Sequence, residues 1–152
     1  MVDLASLPDA ERIHLEKIPC PDHEPTPLVS GPPLNERRVA LITTAALVRR
    51  EDPPFTAKGE YRVLPSSKPS GDLVMSHSSV NFDRTGFQQD LNTVHPVDRL
   101  NELAEDGTIG SVADFHYSFM GSTPVDKVFT AAQGIVDALK GDKVNAVCLA
   151  PV

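Results

Sequence analysis

The sequence predicts an α/β fold, with three layers, a mostly parallel sheet, flanking helices and a proline-rich N-terminal arm. Three observations carry that expectation. Residues 38–44 (Arg-Val-Ala-Leu-Ile-Thr-Thr) and 144–150 (Val-Asn-Ala-Val-Cys-Leu-Ala) are short β-rich runs. Runs of that kind suit strands buried on both faces of a parallel sheet. Before the second run lies a helix-period stretch closed by a short turn, and helix, turn and apolar strand form half of a βαβ unit. Finally, 11 of the 14 prolines fall within the first 69 residues. Proline fixes φ and removes a donor, so that half cannot consist of long helices or central strands.

Along the chain, residues 9–18 predict a short helix with apolar Ile13, Leu15 and Ile18, and Asp9 is placed to cap it. Residues 19–33 read as an extended arm of polyproline character. The arm is assigned to residues 1–35 and the α/β domain to 36–152. The strand at 38–44 comes next. Residues 59–65 alternate like an edge strand, and 72–77 form a shorter third candidate. The polar stretch 78–95 reads as a long loop, and loops of that length are more often functional than not. Pro96 suits a first helical turn, and Val97, Leu100 and Leu103 make one apolar face. Asp106-Gly107 ends this helix, with glycine free to take the left-handed cap. Phe115, Tyr117 and Phe119 alternate, which favours a strand within 109–120. Pro124 opens the last helix, which runs to Lys140 with Val128, Ala131, Ala132, Ile135, Val136 and Leu139 as its stripe, and Gly141 stops it.

Charge narrows the classes. The 152 residues hold 14 Lys+Arg and 21 Asp+Glu, a net charge of −7. That balance argues against nucleic-acid binding, which needs a basic footprint. No apolar run approaches the ~18 residues that cross a bilayer. The N-terminus lacks the pattern of a secretory signal. The two cysteines are too few for a disulfide framework or a four-thiolate zinc site. A cytoplasmic protein, with neither nucleic acid nor membrane as partner, is expected.

Ligands of open parallel sheets bind at the carboxyl ends of the strands. Three such ends are readable: Thr43-Thr44-Ala45, Ser76-His77-Ser78 and Ala150-Pro151-Val152, and they converge if the strands are parallel. The 81–92 loop would hang over that edge, with Asp83, Arg84, Asp90 and Asn92 among its polar groups. His77 is the candidate acid or base, against a structural role at a loop start. Asp90 and Asn92 either bind substrate or cap the helix near Pro96. His77, His95 and His116 share no metal-ligand spacing, and no metal is expected. Cys148 lies within a strand pattern and reads as a small apolar group. Cys20, between two prolines, is the candidate redox thiol, although nothing nearby lowers its pKa.

Residues 74–100 carry a more specific pattern: Ser76-His77, then Asp90-Leu91-Asn92, then His95-Pro96-Val97-Asp98-Arg99-Leu100. It resembles the selenoprotein B family of the glycine, sarcosine, betaine and D-proline reductases, with His95 in place of the usual aromatic residue. Val39-Ala40-Leu41-Ile42-Thr43-Thr44, Gly107-Thr108-Ile109-Gly110, Tyr117-Ser118-Phe119-Met120-Gly121 and the closing 144–152 strand extend the likeness from residue 35 to the end. The resemblance implies reductive cleavage of a C–N bond in a small molecule by a selenocysteine or cysteine, restored by nearby thiols. In that reading Thr44, Ser76, Asp83, Asp90 and Asn92 shape the substrate pocket and His77 gives the proton. It further implies no cofactor in this chain, a pyruvoyl group on a partner subunit, a reductase partner subunit or thioredoxin-type reductant, and a homo-oligomer. In the family the reactive motif directly follows the last strand, a position that falls just past Val152. A selenocysteine codon read as stop, a deliberate cut and a naturally short homologue each fit. The alternative function is a non-catalytic binding or assembly subunit of the same fold.

Overall fold

A computed structural model of the chain describes residues 3–18, 29–56, 58–79 and 83–152. They fall into two units, 1–30 and 31–152. The first holds a 3₁₀ turn, Leu4–Ser6, and helix α1, Asp9–Glu16. Pro8 takes the cap position and makes no side-chain cap bond. Asp9 is therefore not the cap. It is the first helical residue, and it pairs with Arg12 at 2.7 Å. The 19–33 polyproline reading falls largely on residues 19–28, outside the described residues, as does Cys20.

In the second unit β1 (Arg38–Thr43) is central, as its apolar run predicts. Val39 pairs in parallel with Val112 of β5 (Ser111–Val112) on one side and with Ala146 of β7 (Ala146–Ala150) on the other. Farther along, Ile42 and Thr43 pair in parallel with Tyr117 and Ser118 of β6 (Phe115–Phe119). The 109–120 stretch is thus one strand interrupted at 113–114. β3 (Tyr61–Pro65) runs antiparallel outside β6, the edge position its alternation predicts. Two helices cover the two faces. Ile135 and Leu139 of α4 (Val125–Gly141) pack on Ala40, Tyr117 and Phe119. Leu100 of α3 (Val97–Glu105) packs with Val39, Leu41 and Ile109 on the other face. Three layers follow.

The interruption within 111–119 costs β1 a backbone partner, and a side chain supplies it. The Leu41 N–H donates to His116 Nδ1 at 3.1 Å. That leaves the ring proton on Nε2, 3.2 Å from Ser66 Oγ, while Ser66 in turn donates to the Ala113 carbonyl at 2.7 Å. His116 thus bridges a gap in the sheet.

Three expectations need correcting. The 72–77 strand, β4 (Leu73–Met75), is outside the main sheet and pairs antiparallel with β2 (Leu47–Arg49) as a separate ribbon. The 78–95 stretch is not structureless: it holds helix α2 (Thr85–Gln89) and a 3₁₀ turn, Leu91–Thr93. The Asp83 carboxylate accepts the Thr85 N–H at 2.8 Å, and Phe87 and Leu91 are anchored in a core with Leu47, Leu64, Leu73 and Val94. The last strand is not buried on both faces. Ala146, Cys148 and Ala150 face the α3 side of the sheet, whereas Val147 and Leu149 are exposed, Leu149 at 70%. Finally, α3 ends as expected at Gly107 with φ +78, whereas α4 takes in Gly141 as its last residue, one past Lys140, and Lys143 with φ +56 follows it.

Candidate functional site

The carboxyl edge of the parallel sheet is drawn together by Thr44, the first residue after β1. Its N–H donates to the Ala150 carbonyl at 3.2 Å, and its own carbonyl accepts the Gly121 N–H at 3.0 Å. Its hydroxyl accepts the Val152 N–H at 2.8 Å and lies 3.3 Å from the Val152 carbonyl. One residue thereby ties the strand end of β6 to the strand end of β7. Gly121 is needed at this crossing: a Cβ there would lie 2.9 Å from the Thr44 carbonyl oxygen and 3.1 Å from that of Val152. An open cleft of about 380 Å³ runs beside this crossing, lined by Ile42, Thr44, Phe119, Met120, Gly121 and Phe129 among others, and it is mostly apolar.

The Ser76-His77 end reaches the same region by another route. The chain turns through Ala46, with φ +54, into β2, and the Ser76 N–H donates to the Ala46 carbonyl at 2.9 Å. Leu47 pairs with Met75, so the end of β4 lies near the end of β1 although the two are in different sheets. The Ser76 hydroxyl accepts the Phe55 N–H at 3.0 Å. His77 is buried, and its Nδ1 accepts the Ser79 N–H at 3.2 Å, which puts the neutral ring's proton on Nε2. Burial first, and then the nearby Arg84 cation, lower its pKa below the usual histidine value. Arg84 also closes this turn, donating to the His77 carbonyl at 2.7 Å.

Asp90 and Asn92 are engaged locally. The Asp90 carboxylate accepts the Asn92 backbone N–H at 2.9 Å and its side-chain amide at 3.0 Å. The Asn92 carbonyl oxygen accepts the Asp98 N–H at 3.2 Å, and its amide donates to the Asp98 carboxylate at 3.0 Å. Together they secure the first turn of α3. Both border a second cleft, next to Phe87, Leu91 and Ser70 and apart from Thr44. Asp83 caps the start of α2. The hydrogen bonds from Thr85 and Asn92 hold the Asp83 and Asp90 carboxyls below the ordinary carboxylate range.

The candidate residues therefore divide. Thr44, Ser76 and the Val152 end gather at the carboxyl edge, whereas Asp90 and Asn92 build the α3 entry. Val152 and the loop residues Phe87 and Leu91 pack against one apolar cluster, so the 83–95 segment flanks the edge. Sequence reasoning missed Gly121. Its only signal is a glycine directly after an apolar strand, where another backbone approaches closely. Among the described residues no group of three or more His, Cys, Asp or Glu could hold a metal ion. No helix among them is long and apolar enough to cross a membrane.

A mostly parallel sheet with two strand ends fastened at one edge, beside an apolar cleft, defines an α/β domain, the architecture whose ligands as a rule bind at the carboxyl ends of the strands. The chain belongs to the glycine/sarcosine/betaine reductase selenoprotein B family, whose model matches residues 19–152. It is 32% identical over 120 residues to D-proline reductase subunit gamma of Acetoanaerobium sticklandii, covering 76% of this chain and 49% of that protein. It is also 27% identical over 132 residues to glycine reductase complex component B subunit gamma of Carboxydothermus hydrogenoformans, covering 82% of this chain and 30% of that one. The corresponding protein of Symbiobacterium thermophilum is 29% identical over 129 residues, with 76% and 28% covered. The chain thus spans about half the length of the first relative and under a third of the other two. No solved structure matches.

Proposed function

We propose that this chain forms the part of a reductase subunit that holds a selenol or thiol at the carboxyl edge of its sheet, for reductive cleavage of a C–N bond in a small molecule. The observation that carries this reading is the fastening of Val152 to Thr44. The next residue along the chain, the family's reactive position, would emerge beside Gly121 and the apolar cleft. A selenolate or thiolate there attacks the carbon, and the amine leaves with the C–N bonding pair and takes up a proton; a second thiolate then attacks that selenium or sulfur, forming an Se–S or S–S bond, while the carbon group leaves with its bonding pair and takes up a proton. An external dithiol of thioredoxin type supplies the two electrons that restore the selenol. His77 is the proton donor in this reading: its lowered pKa makes the protonated ring a stronger acid. In this reading a pyruvoyl group on a partner subunit would hold the amine as a Schiff base. The relatives are subunits by name, in keeping with partners of this kind.

The test is release of the cleavage product by the native complex with a dithiol reductant: free amine from glycine, sarcosine or betaine, or ring-opened 5-aminopentanoate from D-proline. Release from one of them, cut about 100-fold or more by His77→Ala, is the expected result. No release from any of the four overturns the proposal, and an unchanged rate in the variant removes His77 from it.

A non-catalytic assembly role is the second reading, favoured by the exposed Val125, Phe129 and Val136 of α4 and by Val147 and Leu149 of edge strand β7. Replacing Phe129 and Leu149 with Ser should reduce the mass on size exclusion if this face joins copies or subunits. An unchanged mass dismisses that role.

A further inference from the structure

Arg49 at the end of β2 has only 8% of its surface exposed, yet no carboxylate among the described residues lies within ion-pair distance of its guanidinium. Two long hydrogen bonds to main-chain carbonyls are its contacts, Nη1 to Pro69 at 3.3 Å and Nη2 to Pro65 at 3.5 Å. Its buried Nε–H has no hydrogen-bond partner among the described residues. Burying a cation in this way is costly unless a counter-charge completes it. The same residue lines a cavity of about 230 Å³ with Ser66, Lys68, Ser70, His95 and His116. His95 is 3% exposed, and its Nδ1 is the other buried side-chain atom lacking a partner among the described residues. Its ring stands edge-on to that of His116, 5.5 Å between centres. A guanidinium, an exposed ammonium, two hydroxyls and two imidazoles line the cavity, against one carboxylate, Asp98.

We infer that this cavity binds a small oxyanion, of carboxylate or phosphate type, which supplies the counter-charge that Arg49 lacks. The planar fork of arginine suits two oxygens side by side. Lys68 would add charge at the mouth, and Ser66 and Ser70 would complete the hydrogen bonds. Burial holds both imidazoles neutral near pH 7, with pKa values of about 4, so Arg49 is the one buried cation in the lining. The site is independent of the carboxyl-edge chemistry and would persist if that proposal failed.

Sodium acetate and sodium phosphate are titrated separately into the full chain at constant ionic strength, with sodium chloride as control. Thermal midpoint and the ring resonances of His95 and His116 are followed. The expected result is a saturable rise in midpoint with saturating shifts of both rings. Arg49→Lys should bind about tenfold or more weakly, as loss of charge-assisted hydrogen bonds costs. Lys68→Ala, an exposed change, should weaken binding less. Saturation by acetate alone identifies a carboxylate site, and by phosphate alone a phosphate site. Should Arg49→Lys fail to fold, the resonances of the unaltered protein decide: shifts elsewhere but absent at the two rings overturn the proposal. It is likewise overturned by an equal response to chloride, or by no saturable response to either probe.

Discussion

Thr44 shows how much can rest on one side chain. Its hydroxyl holds the Val152 backbone while its peptide group joins β6 and β7. Thr44→Val keeps the shape and removes the hydroxyl, and the loss of that half-buried hydrogen bond should cost ~1 kcal/mol in urea unfolding. An unchanged midpoint would show that Val152 is held by packing alone. Thr44 was legible as a strand end, because small polar residues follow an apolar run. Arg49 was not: the first of two arginines, Arg49-Arg50, before acidic residues reads as a surface cation, and only its burial without a counter-ion among the described residues reveals otherwise. His116 was equally hidden, since it serves a sheet defect that only the three-dimensional pairing creates. Asp90 and Asn92 were readable as either ligand or cap, and their hydrogen bonds close on α3.

At the level of elements, periodicity identified both long helices and the central strand. It failed where elements are too short to show a period. β2 has three residues and α2 has five; these are fixed by the cluster of Leu47, Leu73, Phe87 and Leu91, not by local propensity. The end of α4 was legible to within one residue: Gly141 closes the helix, and Lys143 takes the left-handed conformation just after it. Lys143→Gly should therefore stabilise the domain by about 0.5–1 kcal/mol, read as a rise in thermal midpoint; a fall would mean the lysine side chain holds the turn. The pairing of Arg38 with Asp142 joins the start of β1 to the end of α4, with Nη2 2.6 Å from the carboxylate and Nε 2.8 Å from the Asp142 carbonyl. Asp142 also accepts the Asp114 N–H at 2.8 Å. Asp142→Ala should cost ~2 kcal/mol, the scale of charge-assisted hydrogen bonds, and a loss within experimental error would show that water replaces them.

For the whole molecule these groups predict a two-stage acid response. His95 and His116 are neutral and buried, so the unfolded chain binds their protons first. Stability is full above pH 6.5 and falls as pH drops towards about 4. Burial is the largest influence on Asp142 and opposes its ionisation, yet the Arg38 hydrogen bond, the backbone hydrogen bonds from Asp114 and Phe115 and the Arg38 charge together outweigh it and hold the carboxyl below its ordinary 3.8. Its contribution, full above that value, is lost at still lower pH. Urea midpoints measured from pH 7 to 3 should show both stages. His95→Phe, which keeps an aromatic ring and removes one proton site, should shrink the upper stage; an unaltered upper stage would assign it to other groups.

In the proposed function, the residue after Val152 would lie at the carboxyl edge beside Thr44 and Gly121. The coding DNA immediately past codon 152, read from the source gene, tests this most directly. The account predicts a cysteine codon or TGA within the next few positions, with a selenocysteine-insertion hairpin downstream of TGA. A TAA or TAG stop, or sense codons encoding neither cysteine nor selenocysteine, would contradict it.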